Sequence, residues 1–347
     1  MTAQQAKLAD LPAGLMPPAV VRGPGASTAD VLSEVLRAVR LSGSVFLDAR
    51  FGAPFGVISP ARWDAAQPTA HLRHASVFHL IAEGRCMLET AQGEVFQLET
   101  GDAVLLPFTA AHRLWAGDPE RFVDAVEVLV PGPIDGIYTS SFSGGDGEKT
   151  RFVCGLLESA EMLAAPLFRS LPAVVIEHTG DDPMTGMMVA TVREILRQLD
   201  DAQAGAPLML GRLMELLFVE TLRRHAAKLP PGATGLLAAL NDPVIGRALQ
   251  AIHAEPARRW DLEGLAREAG ASRTALADRF NAVLGKPPIE YLAGWRLQLA
   301  GERLREGPDS IARVAEHVGY DSEAAFARAF KRAMGISPGR WRSGVVG

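Results

Sequence analysis

Residues 310–332 read SIARVAEHVGYDSEAAFARAFKR, and their spacing decides how the last third of the chain folds. Ile311, Val314, Ala315 and Val318 recur at the three- and four-residue steps of one helix face. Gly319 then supplies a residue free to take a positive φ at a sharp turn. Ser322 stands where a second helix needs a side-chain oxygen to accept from its first free N–H groups. Phe326 and Phe330 follow four and eight residues after that cap, which pins the second helix to the first.

The same grammar occurs fifty residues earlier. Residues 262–280 read LEGLAREAGASRTALADRF, with Leu262, Leu265, Ala266 and Ala269 apolar, Gly270 at the turn, Ser272 at the cap, and Leu276 and Phe280 as anchors. One pair of short helices with a glycine turn is a common pattern. Two in tandem with matching caps and anchors read as two helix-turn-helix units. Between them Lys286-Pro-Pro starts a helix, with proline tolerated in the first turn. A helix over 288–304 spans roughly 25 Å. That rod sets two recognition helices about one DNA turn apart, ~34 Å.

Composition fits this reading once the chain is divided. The 347 residues predict two or three domains, and 48% hydrophobic with 22% charged residues is ordinary for packed cores. The net charge is −5, yet residues 240–347 hold 16 Lys and Arg against 13 Asp and Glu, leaving 19 against 27 elsewhere. A basic C-terminal part on an acidic partner is the expected asymmetry. The longest apolar run, 208–221, is interrupted by Arg212, Glu215 and Glu220, which argues against a membrane span. The N-terminus does not read as a signal peptide, and two cysteines do not make a disulfide scaffold, so a cytoplasmic, nucleoid-associated protein is expected.

Upstream the texture changes. Residues 1–30 are rich in Ala, Pro and Gly and read as a flexible N-terminus. A short helix is expected over 28–41, followed by short apolar runs at 44–47, 76–82, 86–89, 95–98, 103–106 and 122–130 with turn residues between them. Such runs read as a sheet sandwich or barrel. Residues 132–149 read as a loop, and everything after Glu158 as helical. Met188, Val192, Ile195, Leu196 and Leu199, then Leu210, Leu213, Leu217 and Thr221, give two amphipathic helices that either close the barrel core or pair with a second subunit. Residues 229–235 (LPPGATG) read as a hinge.

Three stretches carry a family resemblance: LAREAGASRTALADRF, YLAGWRLQLAGERL and VAEHVGYDSEAAFARAFKRAMGISPGRWR. With them, residues 242–342 resemble the DNA-binding domain of the AraC/XylS family of bacterial transcription regulators. The resemblance implies base reading by side chains just after each cap: Arg273, Thr274, Ala277 and Asp278 after Ser272, and Glu323, Ala324, Ala325 and Arg328 after Ser322. Arg328 suits a guanine edge, which arginine bonds in bidentate fashion. Asp278 departs from the basic or amide residue common at its position. Arg273, Arg279, Lys331, Arg332 and Arg340 suit phosphate contacts or cover the core.

HLRHASVFHLIAEGRCML (71–88) and GDAVLLPFTAAHRL (101–114) resemble the two cupin motifs. Cupin enzymes hold a metal with a His pair, a Glu and a later His. Here His71 and His74 are three apart, so on a strand they face opposite ways. His79 and His112 are left as metal candidates, and His74, His79, His112 and Cys86 as candidates for an effector pocket. Cys86 and Cys154 read either as buried small hydrophobes or as redox-active thiols.

The resulting expectation is an α+β chain. A flexible N-terminus (1–30) precedes a cupin-like antiparallel β-barrel sensor (31–155). A helical segment (156–228) completes the sensor and dimerises, and a linker (229–241) leads to an all-α domain of two helix-turn-helix units joined by a linker helix (242–347). The function implied is a transcription activator without enzymatic activity. Its partners are double-stranded promoter DNA, RNA polymerase, a small-molecule or stress effector and a second copy of the chain, with no membrane and no required cofactor. The alternatives are a metal-dependent cupin enzyme fused to a DNA-binding domain, a thiol-based redox regulator and a constitutive architectural DNA binder.

Overall fold

A computed structural model describes residues 30–39, 42–59, 75–107, 111–158, 167–168, 171–178 and 186–343. Helix α1 (Val31–Val39) opens the described chain and is followed by β1 (Ser42–Gly52), β2 (Phe55–Ser59), β3 (Ala75–Glu83), β4 (Arg85–Thr90), β5 (Val95–Glu99) and β6 (Asp102–Leu106). Then come β7 (His112–Ala116), β8 (Val123–Asp124), β9 (Leu129–Pro131), β10 (Tyr138–Ser140), β11 (Lys149–Glu158) and β12 (Val175–His178). These strands form a seven-stranded sheet, β12-β6-β3-β11-β1-β10-β9, and a five-stranded sheet, β5-β4-β7-β2-β8. Most pairings are antiparallel, as expected of a small β-rich barrel.

The seven-stranded sheet is buried on both faces, which explains its near-continuous apolar runs. Along β3, Val77 and Ile81 enter one core and Phe78 and Leu80 the other. Along β11, Phe152, Cys154 and Leu156 face the interior between the sheets, and Val153 and Leu157 face outward. The outward face is covered by α2 (Gly186–Asp201) and α3 (Ala206–Ala227). Met188, Ile195 and Leu199 from α2 and Leu210, Met214, Leu217 and Phe218 from α3 are buried against it. The packing is close: a Cβ on Gly43 of β1 would lie 2.6 Å from the Gly211 carbonyl oxygen of α3. The two amphipathic helices therefore close the core of the β-rich domain with one face, and α3 leaves Leu208, Met209 and Leu216 exposed on another.

Four local expectations are corrected. Residues 132–149 hold β10, which pairs with β1 and β9. The stretch after Glu158 holds a strand, β12, because Val175 and Glu177 are buried against β6 and α3. The buried carboxylate of Glu177 accepts from Arg224 at 3.3 Å and Lys228 at 2.5 Å. The run 122–130 is broken at a turn between β8 and β9. Strands β2 and β7, interrupted by Gly56 and by Arg113, lie outside the apolar runs read from the sequence.

The C-terminal part is helical throughout: α4 (Leu236–Asn241), α5 (Pro243–Ala254), α6 (Leu262–Ala269), α7 (Arg273–Leu284), α8 (Pro288–Glu306), α9 (Ile311–His317), α10 (Glu323–Met334) and α11 (Pro338–Arg342). Asp242 caps α5 by accepting from the Val244 and Ile245 amides, both at 2.9 Å. Helices α5 to α7 and the first half of α8 share one apolar core with the outer face of the seven-stranded sheet, α1 and α3. The second half of α8 packs with α9 and α10 in a separate small core.

Candidate nucleic-acid interface and effector cavity

Both turns have the geometry their glycines imply. Gly270 has φ +64° and Gly319 φ +84°, backbone that a Cβ would strain. The Ser272 hydroxyl accepts from the Ala275 amide at 3.1 Å, and Ser322 accepts from Ala325 at 3.3 Å. Leu276 and Phe280 on α7, and Phe326 and Phe330 on α10, are fully buried. The opposite sides of these helices face outward. On α7, Arg273, Thr274 and Asp278 are exposed and Ala277 is half-buried. On α10, Glu323, Ala324 and Arg328 are exposed and Ala325 is half-buried.

The basic side chains divide into two groups. Arg328, Lys331 and Arg332 are exposed, and none of them forms an ion pair among the described residues. Arg279 instead donates to the carboxylate of Asp242 at 2.5 Å, and so bolts α7 to the start of α5. Arg342 donates to the Asp309 carbonyl and belongs to the packing of the second unit.

Contacts that the sequence did not reveal fix the two units relative to each other. Arg296 of α8 donates to the carbonyls of Pro256 at 2.7 Å and Arg258 at 2.8 Å. A Cβ on Gly319 would lie 2.6 Å from the Ala257 carbonyl oxygen, so the second turn presses on the loop before α6. Arg259 and Asp321 add an exposed ion pair at 2.5 Å across the same junction. The glycine was legible as a turn residue. Its close approach was not, because the partner loop lies sixty residues away in sequence.

In the barrel, the expected histidines meet. His79 on β3 and His112 at the start of β7 come from different sheets, and their Nε2 atoms are 2.8 Å apart. Cys154, directly opposite His79 on β11, places its Sγ 2.8 Å from His79 Nδ1. Burial, with the neighbouring His112 second, holds His79 well below the usual imidazole range, so it is neutral. The three side chains form the polar end of a cavity of about 40 Å³ walled by Phe46, Phe51, Phe55, Val57 and Phe152. Cys154 was not among the expected pocket residues. Its place follows from the β3–β11 register, which a single sequence does not display.

Cys86, expected in this pocket, lies outside the lining, in the apolar cluster with Leu88 and Leu98. Burial first, and then Asp102, push its thiol up to about 12. Burial also pushes the Cys154 thiol up. His71 and His74 lie outside the described residues. A metal would have to enter between two imidazole nitrogens already in hydrogen-bond contact, and Cys154 bonds the other nitrogen of His79. No three His, Cys, Asp or Glu side chains converge on a metal position among the described residues, so this donor set does not fit one. Among the same residues no helix is long and apolar enough to cross a membrane.

A β-rich domain followed by two capped helix-turn-helix units on one linker helix defines a two-domain DNA-binding regulator. Comparison agrees: residues 30–227 match the family model described as Cupin, and residues 265–344 match that described as Helix-turn-helix domain. An AraC-like transcription regulator of Streptomyces lividans is 34% identical over 266 residues, 76% of this chain and 86% of the relative. The HTH-type transcriptional regulator AlkR of Acinetobacter baylyi is 28% identical over 77% of this chain and 88% of its own length. The RCS-specific HTH-type transcriptional activator RclR of Escherichia coli is 28% identical over 77% of this chain and 84% of its own. Among solved structures, the DNA-binding domain of AdpA in complex with a target DNA is 28% identical over 30% of this chain and 92% of that one, with a TM-score of 0.29. The chain belongs to the AraC-like transcription regulators that carry an N-terminal cupin domain.

Proposed function

We propose that this regulator activates transcription when a small molecule enters the cupin barrel and shifts the chain toward a DNA-competent arrangement. The observation that carries the DNA side is the exposed face of α10, where Arg328 stands without an ion-pair partner among the described residues beside Lys331 and Arg332. Arg328 reads a base edge there, while Lys331, Arg332 and Arg273 hold phosphates. In the first unit Ser272, Thr274 and Ala277 approach the groove, and Asp278 accepts from a cytosine amino group. Arg279, tied to Asp242, serves orientation instead.

Activation is supported by the activator named among the relatives. The domains are proposed to divide at residues 156 and 229, with a sensor before and a DNA-binding domain from 242. The exposed Leu208, Met209 and Leu216 of α3 favour pairing of two copies there, and RNA polymerase is the partner at the promoter. The chain works in the cytoplasm at the nucleoid and catalyses nothing. The lack of fit to a metal weighs against a cupin enzyme, and the raised thiols weigh against direct oxidation sensing.

The test is selection of binding sites from random duplexes with the wild-type chain and Arg328→Ala. The variant should lose ~1–3 kcal/mol of specific affinity and relax one base position. An unchanged selected motif rejects the assignment of Arg328.

A further inference from the structure

Among the described residues, the lining of the barrel cavity holds no carboxylate, ammonium or guanidinium side chain. Its walls are aromatic and aliphatic, and its polar lining among the described residues is His79, His112, Cys154, Ser59 and Ser140. A carboxylate or ammonium placed there loses its water and meets no Asp, Glu, Lys or Arg side chain among the described lining residues. A sugar brings a hydroxyl on nearly every carbon, and most would face phenylalanine. A single hydroxyl on an apolar body meets neither obstacle.

The polar end suits that single group. In one tautomer the Cys154 thiol donates to His79 Nδ1, and His79 Nε2–H donates to His112 Nε2. In the other, His112 donates to His79, which donates to the sulfur. Because His79 is neutral, the chain reverses without gaining charge and adjusts to a hydroxyl that donates or one that accepts. The volume of about 40 Å³ holds a few waters and is well below the ~150 Å³ that accommodates a benzene ring, so a ring enters only by parting the phenylalanine walls.

We propose that the effector is a small uncharged apolar molecule carrying one hydroxyl or similar hydrogen-bonding group, seated against the Phe walls with its polar atom at the His112–His79–Cys154 end. This rests on the barrel being the effector-binding part of the regulator. It also supplies a route outward. Cys154 faces the cavity, and Gly155, the next residue on β11, faces α3. A Cβ on Gly155 would lie 2.8 Å from Met214 Cε, so the strand backbone lies against that side chain of α3. Displacement of Cys154 by a ligand therefore moves a backbone against which the Met214 side chain packs.

The experiment titrates the full-length chain at pH 7 by calorimetry with benzyl alcohol, toluene, benzoate, benzylammonium and a pentose. Benzyl alcohol should bind at least about tenfold tighter than either ion. Val57→Trp and Ala125→Leu should each fill the cavity and abolish that binding while leaving the circular dichroism spectrum intact; two variants guard against a fold defect in one. His112→Phe should keep ring binding but lose the preference for benzyl alcohol over toluene. Tighter binding of benzoate, benzylammonium or the pentose overturns the inference. So does the absence of saturable binding by any probe up to about 10 mM, or binding that survives both cavity-filling variants. A chain that binds DNA but none of these probes overturns this inference alone. A chain that binds benzyl alcohol with unchanged DNA affinity overturns the effector-response reading alone.

Discussion

Phe280 and Phe330 hold the same place in their helix-turn-helix units, and both are fully buried. Their surroundings differ. Phe280 belongs to a core that runs without a break from α7 through α5 and α3 to the sensor sheet. Phe330 belongs to a core of a few residues that α8, α9 and α10 make with Trp341 of α11. The basic residues follow the same division: Arg279 of the first unit is spent on Asp242, and Arg328 of the second faces outward. Equal local grammar thus serves unequal roles. The first unit shares its core with the β-rich domain, and the second is a small body with Arg328, Lys331 and Arg332 exposed on it.

Core truncation should separate the two most strongly. Phe330→Ala and Phe280→Ala should each cost ~3–5 kcal/mol. The first should create an early melting step confined to the second unit, and the second should lower the main transition. Coincident single transitions in both variants, followed by calorimetry, would break the comparison.

The next effect is pH. His253 of α5 stacks on Trp295 at 4.1 Å inside the shared core, and burial pushes its imidazole down to about 3. It is neutral when folded but takes a proton below about 6.5 when unfolded. Its contribution is therefore complete above that pH and lost as pH falls from about 6.5 toward 3, by at most ~1.4 kcal/mol per pH unit. His253→Phe should flatten the urea-midpoint profile of the main transition over this window and leave the second unit's transition unchanged. A slope unaltered by the substitution would rule out this origin.

Smaller effects sharpen the picture. Ser272→Ala and Ser322→Ala should each cost ~1 kcal/mol, because the two caps are alike. A clear inequality in denaturant midpoints would show that the local grammar is not shared after all. Arg279→Ala should change stability by less than about 1 kcal/mol, since that arginine is half-exposed. It should leave the salt dependence of DNA binding unaltered, whereas Lys331→Ala should lower the slope by about one. A reduced slope in Arg279→Ala would return that residue to the phosphate contacts.

How much of this was legible depended on the range of the interactions. The turns, caps and anchors of both units are set within about twenty residues, and each was readable at Gly270, Ser272, Gly319 and Ser322. The two short strands β10 and β12 were hidden because their pairing with β1 and β6 comes from distant sequence, and Glu177 is an unlikely strand residue until Arg224 and Lys228 are placed beside it. The histidines of the cavity were readable as residue types. Cys154 entered because the β3–β11 register sets it opposite His79, while Cys86, in the same inter-sheet core, lies beyond the cavity lining.

Helix α8 has one further consequence. Trp295 points into the first core, and Leu297, two residues on, into the second. One residue inserted just after Gln298 would turn the second recognition helix by ~100° and advance it by ~1.5 Å. Seven residues would nearly restore the facing but add ~10 Å, about three base pairs along the duplex. The helix and the DNA keep different periods, so no short insertion satisfies both. The length of α8 is a phase setting, fixed by two screws of unequal pitch.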